Sequence, residues 1–208
     1  MILKTESLRN RSVIAIGNGP SATSWEAGDL IDSFDIVIRF NNYEIDGYEK
    51  YVGTKTTHWV FNANKLVTWH RDYSQFEKVL VNCPSRVLRS RTEWKADLKV
   101  MYPNIEFLQR PTIKKFQQVV DLGRGKAFSA GLSGICYFLL RSRKLHIHGF
   151  DCFKKYADGI LSLQKRSRHY FGHKSIPYKG HSPKHEQAFI DYMKKKNKIE
   201  ELQEIVSV

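Results

Sequence analysis

Short apolar runs, most of them stopped by glycine or asparagine, recur along the chain and read as buried strands. Ser12–Ile16 (SVIAI) stops at Gly17, Asp35–Phe40 (DIVIRF) runs into Asn41 and Asn42, and Thr57–Phe61 (THWVF) into Asn62. Leu80–Asn82 reads as the tail of a fourth strand, Ile105–Leu108 as a fifth, and Lys144–His148 as a sixth that ends at Gly149. Between them the pattern predicts helices over Ala22–Ile31, Trp69–Lys78 and Glu93–Val100, and another in the apolar stretch that follows "AFSAGLSG". Phe189, Ile190, Met193, Leu202 and Val206 lie near helical spacing, so a last helix with a packing role is expected over residues 183–206.

Alternating strands and helices imply an α/β fold, a single Rossmann-like domain with a mostly parallel central sheet flanked by helices. The domain is expected to span residues 1–208, with its core at about residues 12–190. Ligands in such sheets lie beyond the carboxyl ends of the strands, which nominates Gly17–Ser21, Asn41–Asn42, Asn62–Asn64 and Gly149–Phe153 as one rim.

Charge adds an anionic partner to this picture. The formal net charge is +13, from 34 Lys and Arg against 21 Asp and Glu, which fits nucleic acid, a phosphate-bearing substrate or an anionic membrane surface. The basic residues concentrate at Arg86–Arg91, Arg141–Lys144, Lys165–Arg168 and Lys194–Lys198, where a solvated surface is the plainer reading. No recognition helix, zinc knuckle or aromatic single-strand platform accompanies them, so a nucleic-acid-binding module stands only as the non-enzyme alternative. Cys83, Cys136 and Cys152 lack metal-site spacing and point to a reducing compartment. The N-terminus carries no apolar core of signal-peptide length, and no stretch reaches transmembrane length.

Two segments carry candidate chemistry. "GNGPSA" after the first strand fits a dinucleotide fingerprint with alanine in third position, but the second strand ends in Arg39-Phe40-Asn41 rather than in an acid for a ribose. A nucleotide phosphate or sugar contact through Asn18 and the neighbouring amides is the preferred reading, beside a tight turn with no ligand. "HYFGHKSIPYKGHSPKHE" holds His169, His173, His181 and His185 beside Tyr170 and Tyr178, with Glu186 the one acid. Histidine moves protons near neutral pH and its cation stabilises a departing phosphate. There is no HExxH and no Asp-x-Asp, so the charge of a leaving group falls to His, Tyr, Lys and helix N-termini. That fits a nucleoside monophosphate leaving group.

Together these segments resemble the sialyltransferases of glycosyltransferase family 29, with a distant likeness to the bacterial family 42 enzymes. Val13–Trp59, with "GNGPS", "LIDSFDIVIRFN" and "GYEKYVGTKTTH", resembles the long sialyl motif, and "FSAGLSGICYFLL" with "LHIHGFD" the short one. "HYFG" is similar to the third motif, and His181 with Glu186 to the HxxxxE very short motif. The resemblance implies a GT-A-variant fold and inverting, metal-independent transfer of sialic acid from CMP-sialic acid to a glycan or glycolipid hydroxyl. CMP-Kdo is the alternative donor. Carried over residue by residue, His181 is the base, His173 its rival under the family 42 pattern, and His169 with Tyr170 face the phosphate. Asn18, Asn41, Ser129, Ala130 and Gly131 match residues that hold the donor, Ala130 standing where threonine is usual, and the strand-end rim adds Gly19, Ser21, Asn62, Gly149, Phe150 and Asp151 as expected donor contacts. Arg39 and the Gly53–Thr57 turn shape the wall beside it, and the acceptor is met by loops at Asn62–Trp69, Arg110–Lys126 and Lys154–Arg168. The long motif lacks the cysteine that would pair with Cys136, and no stem or anchor is evident. The expected setting is therefore cytoplasmic or peripheral to an anionic membrane, in a bacterium or a virus-infected cell, without nucleic acid or metal.

Overall fold

The computed structural model describes residues 7–62, 73–82, 100, 105–108, 110–122, 125–152, 166–167, 169–172, 176–177 and 181–206. In chain order these form β1 (Val13–Ile16), α1 (Gly28–Asp32), β2 (Ile36–Phe40), α2 (Glu49–Val52), β3 (His58–Asn62), β4 (Lys78–Asn82) and β5 (Ile105–Phe107). There follow α3 (Arg110–Gln118), α4 (Ala130–Leu139), β6 (Leu145–His148), β7 (Arg166–Ser167), β8 (Ile176–Pro177), α5 (Pro183–Lys195), β9 (Ile199–Glu201) and α6 (Leu202–Val206). Seven strands make one sheet in the order β5-β4-β3-β2-β1-β6-β9, every pair parallel, and β7 and β8 form a separate antiparallel ribbon.

Strands buried on both faces need apolar side chains at successive positions, and β1 and β2 are buried at every residue. On one face Val13, Ala15, Ile36 and Ile38 pack against Leu132 and Ile135 of α4 and Phe189 of α5. On the other, Ile14, Ile16 and Val37 meet Ala22, Ile31, Val52 and Leu202. The chain runs from β1 outward to β5 and then returns to the other side of β1 with β6. The order of the sheet thus reverses between β1 and β6, at the carboxyl ends where the candidate motifs lie.

Several predicted elements differ. The helix expected over Ala22–Ile31 is a 3-10 turn, Pro20–Thr23, followed by the short α1. The first residue of α1, Gly28, abuts α2: a Cβ on it would lie 2.3 Å from the Glu49 carbonyl oxygen. In place of the helix over Trp69–Lys78, the described part is a 3-10 turn, Tyr73–Gln75, and β4 has begun by Lys78; residues 69–72 and 93–99 lie outside the described residues. Arg110–Gln118, taken for a loop, is helix α3. The single C-terminal helix over residues 183–206 is α5, a break at Asn197 (φ 53°), strand β9 and α6. Met193 and Leu202 share helical spacing in sequence, yet they bury on opposite faces of the sheet. The edge pairing of Ile199 with Leu145 turns the chain from one face to the other.

Candidate functional site

Asparagines knit together the carboxyl ends of β1 to β4. Asn18 donates from Nδ2 to the Phe40 carbonyl at 2.9 Å and reaches that of Asn42 at 3.4 Å. Its Oδ1 is buried without a hydrogen-bond partner among the described residues. Asn41 takes the left-handed conformation (φ 49°), which asparagine tolerates. Its Oδ1 accepts from the Asn62 amide at 2.8 Å, and its carbonyl from Trp59 Nε1 at 2.8 Å. Asn62 accepts in turn from Asn82 Nδ2 at 2.7 Å. Among the described residues, the group left for a ligand is therefore the acceptor of Asn18, together with the Nδ2 of Asn41.

The turn after β1 is closed against the loop after β6. Gly17 and Gly19 donate their amides to the carbonyls of His148 and Gly149, at 2.7 and 3.0 Å. The Ser21 amide donates to Asp151 Oδ2 at 3.0 Å, and His148 Nε2 bonds the Ala22 carbonyl at 2.9 Å. The amides of Gly19 and Ser21 are thus engaged inside the protein, on the Gly149 carbonyl and the Asp151 carboxylate. Asp151 acts in the same way as a staple. Burial lowers the His148 pKa, and its proton-bearing nitrogen faces Ala22. Gly149 sits at φ 72°, and Phe150 lies edge-on to Phe40 and so close to Gly131 that a Cβ there would meet the ring at 2.9 Å.

Arg39 is fully buried. Its Nη2 bonds the carbonyls of Val52, Gly53 and Lys55 at 2.6, 2.9 and 3.1 Å, and its Nε bonds Thr56 Oγ1 at 2.9 Å. It is an internal strut that holds the Gly53–Thr57 turn against β2. Asp32 accepts the amides of Thr54 and Lys55 and holds the other side of that turn.

Tyr170 departs from its expected part. Its hydroxyl donates to the carbonyl of Glu44, its ring packs edge-on to Tyr48, and burial pushes its pKa up to about 12. A phenol has one hydrogen to give, so Tyr170 cannot also donate to a phosphate; it anchors its segment, assisted by its amide on the Asn18 carbonyl at 3.0 Å. His169 beside it lies against Phe171, and burial depresses its pKa to about 4. At neutral pH the ring is a neutral hydrogen-bonding group. His173 lies outside the described residues.

The second cluster joins three segments distant in sequence. Ser129 caps α4, its Oγ accepting from the Leu132 amide at 3.3 Å. Glu186, 2% exposed, takes the Ser129 amide on Oε1 at 2.7 Å and the Ser129 hydroxyl on Oε2 at 3.0 Å. Burial raises its pKa to about 7 against the opposing pull of those two bonds. His181 Nδ1 lies 2.8 Å from the Ala127 carbonyl and 3.9 Å from Glu186 Oε1. A carbonyl only accepts, so Nδ1 carries the hydrogen and Nε2 presents its lone pair. Ala130 and Gly131, the first two residues of α4, offer amides that have no carbonyl within the helix.

Among the described residues no group of three His, Cys, Asp or Glu side chains could hold a metal ion, and no helix is long and apolar enough to cross a membrane. A cavity of about 140 Å³ opens past β6 and β9 between Ser21, Asp151, Gln187 and Glu201. Glu186 is the residue whose part the sequence did not reveal. Its partner lies 57 positions away; its lone acidity among the histidines and its HxxxxE spacing from His181 singled it out, but not its bond to Ser129.

The most informative structural likeness is to a crystal structure of a mammalian sialyltransferase in complex with Gal-beta-1-3GalNAc-ortho-nitrophenol. It has a TM-score of 0.68 and 20% identity, over 92% of this chain and 69% of that one. In sequence, human CMP-N-acetylneuraminate-beta-galactosamide-alpha-2,3-sialyltransferase 4 is 45% identical over 56 residues, 27% of this chain and 17% of that protein. Human CMP-N-acetylneuraminate-beta-1,4-galactoside alpha-2,3-sialyltransferase is 46% identical over 52 residues, 25% of this chain and 14% of that protein. The chain thus aligns with a small part of each relative's length. Residues 3–88 match the model of Glycosyltransferase family 29 (sialyltransferase), so the N-terminal sequence is similar to that family and the fold is similar to that of a mammalian sialyltransferase.

Proposed function

We propose that the chain is one glycosyltransferase domain that moves sialic acid from CMP-sialic acid to a glycan hydroxyl with inversion and without a metal. The observation that carries the reading is His181: its Nδ1–H is fixed on the Ala127 carbonyl, so the basic lone pair of the ring is on Nε2. In the proposed step Nε2 takes the proton of the acceptor hydroxyl as its oxygen bonds to the anomeric carbon. The bond from that carbon to the phosphate oxygen breaks, and CMP leaves with the electron pair. The Ala127 carbonyl keeps its hold on Nδ1–H as the imidazolium forms. The amides of Ala130 and Gly131 and the ring of His169 meet the phosphate. His169, neutral when empty, is drawn toward its cation as negative charge grows beside it. Asn18 Oδ1 and Asn41 Nδ2 orient the nucleotide.

The family model and the printed activities of the relatives support CMP-sialic acid over CMP-Kdo, and they supply the acceptor to try first, a β-galactoside. The test is transfer from CMP-Neu5Ac to a terminal β-galactoside, with and without EDTA. Activity that persists in EDTA is expected. His181→Ala should lower kcat by about a hundredfold or more while the affinity for CMP holds. A protein that neither binds nor turns over CMP-Neu5Ac, or a His181→Ala variant at wild-type rate, refutes it.

A further inference from the structure

Ser129 has one hydroxyl hydrogen, and Glu186 holds it. The Oγ of Ser129 accepts from the Leu132 amide and lies 3.0 Å from Glu186 Oε2. While Glu186 is a carboxylate it can only accept, so the hydroxyl hydrogen must point at it and none is left for a ligand. The same negative charge, on the N-cap of a helix of 10 residues, offsets the partial positive charge that an anion would seek there. Protonation reverses both conditions. The new O–H of Glu186 donates to the second lone pair of Ser129 Oγ, and the serine hydrogen is free to turn toward the first residues of α4.

Resting on the donor reading above, we propose that Glu186 and Ser129 form a proton-dependent donor clamp. A phosphodiester anion at the N-terminus of α4 binds tightest when Glu186 is protonated, and its binding draws a proton from solvent onto that side chain. Glu186 is a positioning residue: it touches Ser129 and the neighbourhood of the base, not the reacting atoms. Burial alone brings its titration into the neutral range, near pH 7. The titratable groups that face it are Cys136 of α4, whose thiol burial pushes well above its ordinary value, and His181, whose hydrogen is committed to Ala127. Cys136, held as a neutral thiol, supplies no cation that would hold Glu186 ionised.

The probe is the methyl ester of CMP, a phosphodiester that does not titrate near neutrality and cannot be transferred. Its affinity is measured calorimetrically from pH 6 to 8 in two buffers of different ionisation heat. The expected result is a Kd about tenfold weaker at pH 8 than at pH 6, with about half a proton taken up per ligand at pH 7. Glu186→Gln, which fixes the neutral form, should bind with no such slope and no proton uptake. Ser129→Ala, which removes the hydroxyl and leaves the carboxylate, should at least halve the slope and covers the case of a Gln variant that does not fold. Affinity flat with pH in the wild type overturns the clamp and leaves the donor reading standing. So does a slope that survives Glu186→Gln, which would assign the titration to a histidine, or one unchanged in Ser129→Ala. Failure of the ester to bind at any pH overturns the donor reading and the clamp with it.

Discussion

Replacing Arg39 by methionine should cost about 4 kcal/mol of stability, taking two charge-assisted hydrogen bonds as lost at about 2 kcal/mol each with no water to replace them. The guanidinium is fully buried, and its partners are the carbonyls of Val52, Gly53 and Lys55 and the hydroxyl of Thr56. Methionine fills the volume and satisfies none of them. A loss of that size is a large share of the roughly 5–15 kcal/mol that holds a domain together. Arg39→Lys keeps the charge but has a compact ammonium in place of the planar fork, and should lose about 2 kcal/mol. Urea unfolding at pH 7, followed by the fluorescence of the buried Trp59, reads both variants. If Arg39→Met unfolds within about 1 kcal/mol of the wild type, a threshold below the worth of one charged hydrogen bond, the strut assignment is wrong. If Arg39→Lys leaves stability intact and weakens binding of CMP, Arg39 belongs to the ligand wall after all.

Two further outcomes test the packing and the titration behind the site. Gly17→Ala places a Cβ 2.3 Å from the Gly149 carbonyl oxygen, a backbone atom with little freedom to yield, and should cost about 2 kcal/mol, against no change for Gly172→Ala, where the space is open; equal urea midpoints for the two would refute the close approach of β1 and β6. Glu186 has a folded pKa of about 7, raised from 4.5, so its stabilising effect is complete below pH 4.5 and is lost as the pH rises through 7. The loss is on the order of 3 kcal/mol. The difference in unfolding free energy between wild type and Glu186→Gln should shift by that amount between pH 5 and pH 8, and a constant difference would refute the buried, proton-accepting carboxyl.

The strands were legible because their cause is local. Runs such as Val13–Ile16 and Ile36–Phe40, apolar at consecutive positions and stopped by glycine or asparagine, can be buried on both faces only in a parallel sheet. The C-terminal region was misread for the opposite reason. Helical spacing of Met193 and Leu202 is real in sequence, but each satisfies a different face of the sheet, and the edge pairing of Ile199 with Leu145 breaks the helix between them. The basic clusters also changed meaning. Arg141 stacks on Tyr137 at 3.4 Å, Lys144 pairs with Glu200, and Lys194 pairs with Glu201 and Glu204, so these cations are engaged within the fold.

By itself, then, the sequence determined where strands stop, which polar residues stand at their carboxyl ends, and which histidines are available. Those are properties of neighbours along the chain. What each polar group is free to do was decided only by the tertiary structure. A single hydroxyl or amide hydrogen goes to whichever acceptor the fold brings within reach, from Glu44 for Tyr170 to Asp151 for Ser21 and Glu186 for Ser129, and those partners lie from 57 to 130 residues away.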